Sequence, residues 1–332
     1  MRPLIAPGDS IVTNPLTTIR TIDPTNSEAV RRRAHFLLRA KVVDTIARII
    51  GLVTLTAAIG YVVGFTLWTT WISFTDSTLL PDYAFVGFKH YRRLFHTHLW
   101  QVSYENLLIY GVCFMVLAAS IGMLLAVLID QKVRAENLLR TIYLYPMALS
   151  FVVTGTVWSW ILNPSIGVQN FVRGLGWIHF RFDWLVDRHM AIYTVVIAAV
   201  WQASGFAMAL LLAGLRSLDQ DLYKAAQIDG ASPAKMYLRI AIPAIWPIVL
   251  AVLVILLQFS IKTYELVQAL TAGGPGIATT LPTAVVYDYM FQRGLMGQGS
   301  ATAVLLLFSL LIILGPYAIY GRIRDRRMSR NG

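Results

Sequence analysis

Charged residues are scarce in this sequence. Asp, Glu, Lys and Arg make up 14% of its 332 residues, whereas 57% of the residues are hydrophobic. Soluble domains carry about 25% charged residues. The composition therefore excludes an ordinary soluble protein and indicates a membrane protein.

Cysteine and the common catalytic motifs are also missing. Cys113 is the only cysteine, which excludes a disulfide framework and a cysteine-based metal site. No Gly-Lys pair occurs, so the chain has no phosphate-binding loop of its own, and HExxH, GxSxG and EF-hand patterns are absent. We therefore predict that the chain is not an enzyme and holds no cofactor or metal. His90, His96 and His98 lie in an aromatic, basic stretch, which favours an amphipathic segment at the membrane surface over a metal site.

What the sequence does contain is six apolar runs, each long enough to cross about 30 Å of hydrocarbon as a helix. They lie at about 49–74, 106–129, 143–162, 191–215, 241–261 and 301–320. A β-barrel would need alternating segments of about ten residues, and these runs are continuously apolar. The predicted fold class is all-α, a polytopic membrane protein with six transmembrane helices.

The distribution of Lys and Arg predicts the orientation. Eighteen of these residues, or twenty with Arg2 and Arg20, lie before the first run, after the second, after the fourth and after the sixth, against eight on the opposite side. Both termini and the loop after the fourth run are therefore predicted to be cytoplasmic. We expect a partly flexible N-terminal tail at 1–48, a transmembrane domain at 49–321, a cytoplasmic loop at 216–247 and a basic tail at 322–332. This bias accounts for most of the net charge of +11, so no nucleic-acid partner is implied.

The loop from Asp219 to Pro247 is longer than a turn between membrane helices needs. Acidic residues at its start favour a helix N-terminus, and Gly230 suits a left-handed residue that ends this helix. Ser232 and Pro233 then begin a second short helix, and Pro243 is expected to break it where the chain re-enters the membrane. Such an element predicts a docking surface for a partner. An ordinary interfacial loop with good helix caps is the alternative.

The segment Lys224-Ala-Ala-Gln-Ile-Asp-Gly-Ala, followed by Ile242-Pro243, resembles the EAA loop of ABC importer permeases. In that family the loop forms a coupling helix that fits a groove on the cytoplasmic ATPase subunit. The resemblance implies that the residues that couple to the ATPase are Lys224, Ala225, Ala226, Asp229, Gly230 and Ala231. Lys224 stands where the family usually has Glu, so the charge at this position is reversed.

Flanking segments extend the resemblance to carbohydrate-type permeases, and particularly to the glucose/mannose-type branch. They are Trp201-Gln-Ala-Ser-Gly-Phe, Leu212-Ala-Gly-Leu-Arg-Ser-Leu-Asp, Ala269-Leu-Thr-Ala-Gly-Gly-Pro-Gly, Tyr287-Asp-Tyr-Met-Phe-Gln-Arg and Gly297-Gln-Gly-Ser-Ala. The resemblance implies the type I ABC importer permease (MetI-like) fold in the cell inner membrane, with glucose, mannose or a small oligosaccharide as substrate. It also implies a second homologous permease, two ATPase subunits that bind ATP and Mg, an extracytoplasmic sugar-binding protein and membrane lipid as partners.

Polar groups inside apolar runs are costly unless they face a cavity or one another. Those that could line a substrate pathway are Trp201, Gln202 and Ser204 in the fourth run, and Gln258, Tyr264 and Glu265 in or just after the fifth. Sugars suit such a lining, since hydroxyls need hydrogen-bonding groups and C–H faces pack on aromatic rings. Packing between helices explains the fourth-run group equally well. Lys262 and Glu265 are three residues apart and are expected to form an ion pair near the outer surface.

Other functional classes make different demands on the sequence. An ion-driven secondary transporter would need carboxylates buried within the membrane-spanning runs, whereas Asp and Glu here lie at run ends or in loops. An ABC permease for a polyol, a glycerophosphodiester or a peptide is a further alternative. Anionic substrates would need several basic residues in the cavity, and only Lys262 lies near it. A membrane scaffold without transport activity is disfavoured by the elaborate loop.

Overall fold

The computed structural model of the chain describes residues 27–80, 82–131 and 133–331, and among them the side chains of 43–80, 82–131 and 133–315. The start of the expected flexible tail, residues 1–26, and the side chains of the basic tail lie outside the described residues. Within them the protein is helical, and the only β pairing is an isolated bridge between Thr75 and Phe85. The predicted all-α class is confirmed.

Fourteen α-helices follow one another along the described chain. They are α1 (Ser27–Ile72), α2 (Lys89–Phe95), α3 (His98–Asp130), α4 (Glu136–Leu144), α5 (Phe151–Ile161), α6 (Val168–Gly174), α7 (Ala191–Arg216), α8 (Gln220–Ile228), α9 (Pro233–Met236), α10 (Ile242–Ala244), α11 (Trp246–Ile261), α12 (Tyr264–Thr271), α13 (Pro282–Tyr287) and α14 (Met296–Asn331). Short 3-10 turns lie at Tyr145–Ala148 and Trp184–Val186, and π-helical turns at Tyr237–Ala241 and Asp288–Gln292. The contacts of the described residues divide the chain into two units between Thr66 and Leu67; apart from the apolar segment Val43–Ile72, the features below lie in the second.

Four described segments are long and apolar enough to cross a membrane: Val43–Ile72, His98–Asp130, Ala191–Arg216 and Met296–Gly315. The third and fifth predicted spans differ from expectation because each is a bent pair of helices rather than one continuous helix. The pair Glu136–Ala148 and Phe151–Ile161 bends by 99°, and the pair Pro233–Ala244 and Trp246–Ile261 bends by 73°. The chain has six candidate spans when each bent pair is counted as one.

Proline and capping residues explain both bends. At the first, Pro146 lies in the 3-10 turn, Leu149 is extended, and the Ser150 hydroxyl caps the new helix by accepting a 3.2 Å bond from the Val153 amide. At the second, the chain continues through Pro243 and breaks only at Ile245. The expectation that Pro243 ends the helix is therefore wrong by two residues. A π-helical turn lies directly before α10, and it is Pro247 that occupies the first turn of α11.

Helix α7 lies at the centre of the core, with buried side chains on almost every side. Helix α3 packs along it, and Gly122 is the point of close approach, because a Cβ there would lie 2.9 Å from the Met208 amide nitrogen. The largest fully buried side chains around this contact are Tyr110, Phe114, Met208, Leu211 and Leu212. A second close approach joins α5 to α12, where a Cβ on Gly155 would lie 2.9 Å from the Leu266 carbonyl oxygen. This packed core connects both bent pairs to the polar loop.

Candidate functional site

The polar loop consists of α8 and α9 on either side of a glycine corner. Asp219 is the N-cap of α8, and its Oδ1 accepts a 2.9 Å bond from the Asp221 amide. Gly230 has a φ of +74°, which a glycine adopts without strain. Ser232 then begins α9, with its hydroxyl accepting a 3.4 Å bond from the Lys235 amide. The predicted sequence of helix, corner and helix is confirmed.

The predicted docking residues of this loop divide between two faces. Lys224, Ala225, Asp229 and Gly230 are exposed, and Ala231 is half-buried. Ala226 is instead buried in the hydrophobic core, so its expected place on the docking surface is wrong. Consecutive residues on a helix are 100° apart, and here that rotation places Ala225 outward and Ala226 inward.

Ile228 was not among the docking residues predicted from the sequence. It is 86% exposed, although it is a large apolar residue at the end of α8. Its signal was an isoleucine between two polar residues, two positions before the glycine corner. An apolar side chain held this far into solvent on a capped helix, beside the small residues Ala225 and Gly230, is a candidate contact for another protein.

Lys224 has a partner within its own helix. Its Nζ donates a 2.7 Å bond to Oδ1 of Asp221, one turn earlier, and both side chains are exposed. Exposed pairs of this kind contribute at most about 1 kcal/mol. The ammonium group therefore remains available to a partner that offers a better acceptor.

The sequence also did not predict a polar cluster that lies beside the loop. We call it the helix-end cluster, and it consists of Asp130, Glu136, Arg216 and Tyr237. The Tyr237 hydroxyl donates a 2.8 Å bond to Asp130, and Arg216 donates a 2.6 Å bond to Glu136. The Arg216 Nε lies 3.7 Å from the other carboxylate oxygen of Asp130. Burial and the nearby Asp130 carboxylate together raise the pKa of Tyr223, which lies beside this cluster.

The candidate pathway residues of α7 point in different directions. Gln202 is only 2% exposed, and its Nε2 donates a 2.9 Å bond to the Leu149 carbonyl at the first bend. Its Oε1 is buried and has no hydrogen-bond partner among the described residues. Ser204 is buried, whereas Trp201 is 41% exposed, with its ring edge-on to Trp158 at 5.8 Å. Gln202 therefore supports the bend, and Trp201 is the member of this group that faces outward.

The second candidate group is more open. Gln258 and Glu265 are exposed, and the half-buried Tyr264 ring lies 5.1 Å from the Tyr287 ring. The expected ion pair between Lys262 and Glu265 is absent among the described side chains. The reason is that α11 ends at Ile261 and α12 begins at Tyr264, so the two residues do not share one continuous helix.

The histidines of the first long loop do not form a metal site in the described residues. No group of three His, Cys, Asp or Glu side chains there could hold a metal ion. His90 is buried, and its Nε2 lies 2.9 Å from the Thr75 carbonyl oxygen and 3.6 Å from an oxygen of Asp76. This histidine therefore supports the turn that contains the isolated bridge.

Bent membrane-length helices around a buried central helix, together with a capped polar loop, define a multi-pass membrane transport component. Residues 118–330 match the family described as the binding-protein-dependent transport system inner membrane component. The chain belongs to this family, and it is an inner-membrane permease subunit of an ABC importer rather than an enzyme.

Several characterised or named proteins are similar over most of their length. A probable ABC transporter permease protein of Pyrococcus horikoshii is 39% identical over 79% of this chain and 90% of its own. The xylose/arabinose import permease protein XacH of Haloferax volcanii is 34% identical over 75% of this chain and 79% of its own. The crystal structure of a bacterial ABC transporter involved in the import of alginate matches with a TM-score of 0.72 at 22% identity, covering 88% of this chain and 98% of that one. This last likeness concerns the fold.

Proposed function

We propose that this permease forms half of the membrane pathway of a sugar importer and is driven through its 219–247 loop by a separate ATPase subunit. The observation that carries the proposal is the loop itself, two capped helices that turn at Gly230 and present an exposed apolar tip. The Lys and Arg distribution supports a cytoplasmic position for it. The ATPase subunits hold ATP and Mg, and no nucleotide motif is present in this sequence.

The exposed face of the loop suits insertion into a groove on that ATPase. Ala225 and Gly230 allow close approach because they are small, and Ile228 supplies an apolar anchor. Burial of such an isoleucine contributes about 1.5–3 kcal/mol. Asp229 and Lys224 border this apolar tip and provide polar contacts at its rim.

The transport cycle follows from this attachment. ATP binding closes the two ATPase subunits, which moves the loop and turns the helices of the permease outward. ATP hydrolysis and release then return the pathway to the cytoplasmic side. A second, homologous permease completes the pathway, and an extracytoplasmic solute-binding protein delivers the substrate.

A neutral sugar is the substrate class that the residues and relatives favour. Trp201 offers an outward aromatic ring, and Gln258 and Glu265 offer exposed hydrogen-bonding groups. Named relatives import xylose and arabinose, or trehalose and maltose. A permease for sn-glycerol 3-phosphate is 28% identical, but the candidate pathway here carries a carboxylate, which disfavours an anionic substrate.

Replacement of Gly230 with leucine tests the coupling role. No heavy atom lies within 4 Å of the position of its Cβ, so the change adds a bulky side chain to the docking face and backbone strain of about 1–2 kcal/mol. In proteoliposomes containing the whole importer, we expect ATP hydrolysis to continue while uptake of radiolabelled xylose, arabinose, trehalose and maltose falls about tenfold. The ATPase should still co-purify.

The matched control is Gly176→Leu. Gly176 also has a positive φ, +102°, and open space around its Cβ, but it lies after α6 in another loop. Uptake at the wild-type level in Gly230→Leu would contradict the coupling role. If the wild-type importer took up sn-glycerol 3-phosphate and none of the four sugars, the proposed substrate class would be contradicted.

A further inference from the structure

Three helix ends and the polar loop meet at the helix-end cluster. Asp130 is the last residue of α3, Glu136 the first of α4, Arg216 the last of α7, and Tyr237 the first of the π-helical turn after α9. These residues lie far apart in sequence, with Asp130 and Tyr237 separated by 107 positions. Their meeting is therefore a property of the folded chain.

Each of the two oxygens of the Asp130 carboxylate contacts a different element of the fold. Oδ2 accepts the 2.8 Å bond from Tyr237, and Oδ1 faces Arg216 at 3.7 Å. The Asp130 side chain is 13% exposed and Tyr237 is buried, so little water competes for this charge-assisted bond. Arg216 connects the same carboxylate to Glu136 by its 2.6 Å bond.

The loop has few other polar attachments to the rest of the described chain. Tyr237 to Asp130 is its only hydrogen bond between two side chains that leaves the 219–247 segment, among the described residues. The Tyr223 hydroxyl reaches the Leu215 carbonyl at 3.4 Å, near the limit of a hydrogen bond. The contact from Tyr237 to Asp130 is therefore the main polar attachment between the end of α9 and the rest of the described chain.

We propose that the helix-end cluster is the linkage through which movement of the 219–247 loop reaches α3, α7 and the first bent pair, with Asp130 as its positioning residue. This linkage rests on the proposed function, because it describes how movement that the ATPase imposes on the loop is transmitted to the membrane helices. Tyr237 begins a π-helical turn, a local irregularity often found where a helix adjusts during function. Glu136 begins α4, which runs directly into the 99° bend.

The test uses the assembled importer with its partner permease, ATPases and binding protein in proteoliposomes. Tyr237→Phe removes one hydroxyl, and Asp130→Asn removes the charge while it keeps the shape. We expect each to lower the amount of radiolabelled xylose, arabinose, trehalose and maltose imported per ATP hydrolysed by about tenfold, as loss of one charge-assisted bond allows. The loss in the double variant should be smaller than the sum of the two single losses, since both changes weaken the same contact between Tyr237 and Asp130.

Tyr104→Phe is the matched control. Tyr104 also lies on α3, and its hydroxyl donates a 2.9 Å bond to Ser309 on α14, far along the helix from the loop. A merely structural role of Tyr237 predicts that both tyrosine variants lose assembly and leave the ratio of import to hydrolysis unchanged. The linkage predicts that only Tyr237→Phe changes this ratio, with co-purification of the ATPase retained.

Different results refute the linkage and the proposed function. A wild-type import ratio in Tyr237→Phe and Asp130→Asn overturns the linkage and leaves the proposed function intact. Additive losses in the double variant also overturn it, because they show that the two residues act separately. Failure of the wild-type permease to co-purify with the ATPase, or to import any of the four sugars with ATP, refutes the proposed function itself.

Discussion

Replacement of Gly205 with alanine should force α7 away from α4. A Cβ on residue 205 would lie 2.5 Å from the carbonyl carbon of Tyr143 and closer still to its oxygen, and 3.2 Å from the amide nitrogen of Leu144. All three are backbone atoms, so no side-chain rotation relieves the clash. Because packed carbon atoms stay about 3.5 Å apart or more, and the oxygen is closer than the carbon, the two backbones must separate by at least about 1 Å.

Two opposing effects set the magnitude. Overpacking that shifts a backbone costs about 1–3 kcal/mol, and a clash with three backbone atoms belongs at the upper end. Alanine favours a helix over glycine by up to about 1 kcal/mol. We therefore expect the free energy of unfolding to fall by about 2 kcal/mol. The bond from Gln202 to Leu149 lies at the same contact, so it should weaken as well.

Unfolding of the purified chain in mixed detergent micelles, titrated with SDS and followed by far-ultraviolet circular dichroism, measures this loss. Gly315→Ala is the control, since Gly315 also lies within a membrane-length helix but has no heavy atom within 4 Å of its Cβ position. That variant should be neutral or slightly stabilised. Equal free energies of unfolding for the two variants would refute the close approach of α7 and α4.

Two further predictions concern polar contacts. Gln202→Leu removes the donor to the half-buried Leu149 carbonyl and should cost about 1 kcal/mol or more in the same titration, because this acceptor is left without its partner; no loss would mean that water replaces the amide. The hydrogen bond from Lys89 holds the pKa of Asp76 below its usual range. This exposed pair should therefore stabilise the fold by at most about 1 kcal/mol above the ordinary carboxyl pKa, and that contribution is lost as the pH falls through the lowered pKa. Thermal unfolding across acidic pH should show a weaker dependence in Lys89→Met than in the wild type, since His90 and Arg93 also lower the pKa of Asp76.

Local rules made the polar loop predictable from the sequence. Asp219, Gly230 and Ser232 each meet a requirement of the backbone at their own position, so their roles can be read without knowledge of distant residues. Ala226 could not be placed in this way. The side of α8 that faces inward is decided by the core against which it packs, and either alanine satisfies the helix equally well.

Contacts between residues far apart in the sequence could not be predicted, for a related reason. Asp130 and Tyr237 meet because α3 and the loop end at the same place, and neither residue has a local pattern that indicates the other. The bend at Leu149 had a signal in Pro146 and Ser150, but the apolar run across it looks continuous. The ion pair between Lys262 and Glu265 was predicted from their spacing but does not form between these two described side chains. Spacing predicts a contact only when one helix carries both residues.

The five residues from Trp201 to Gly205 show why architecture is better defined here than substrate. Gln202 holds the bend at Leu149, and Gly205 allows α4 to approach. Ser204 is buried. The resemblance to other permeases at Gln202, Ser204 and Gly205 therefore reflects how the helices pack. Trp201 alone presents a ring to the outside, and Gln258 and Glu265 are likewise exposed in this single chain. Groups that select a substrate must contact it, so we expect the selective residues to belong to this exposed set. A second permease that covers the same set would then share in the choice of substrate.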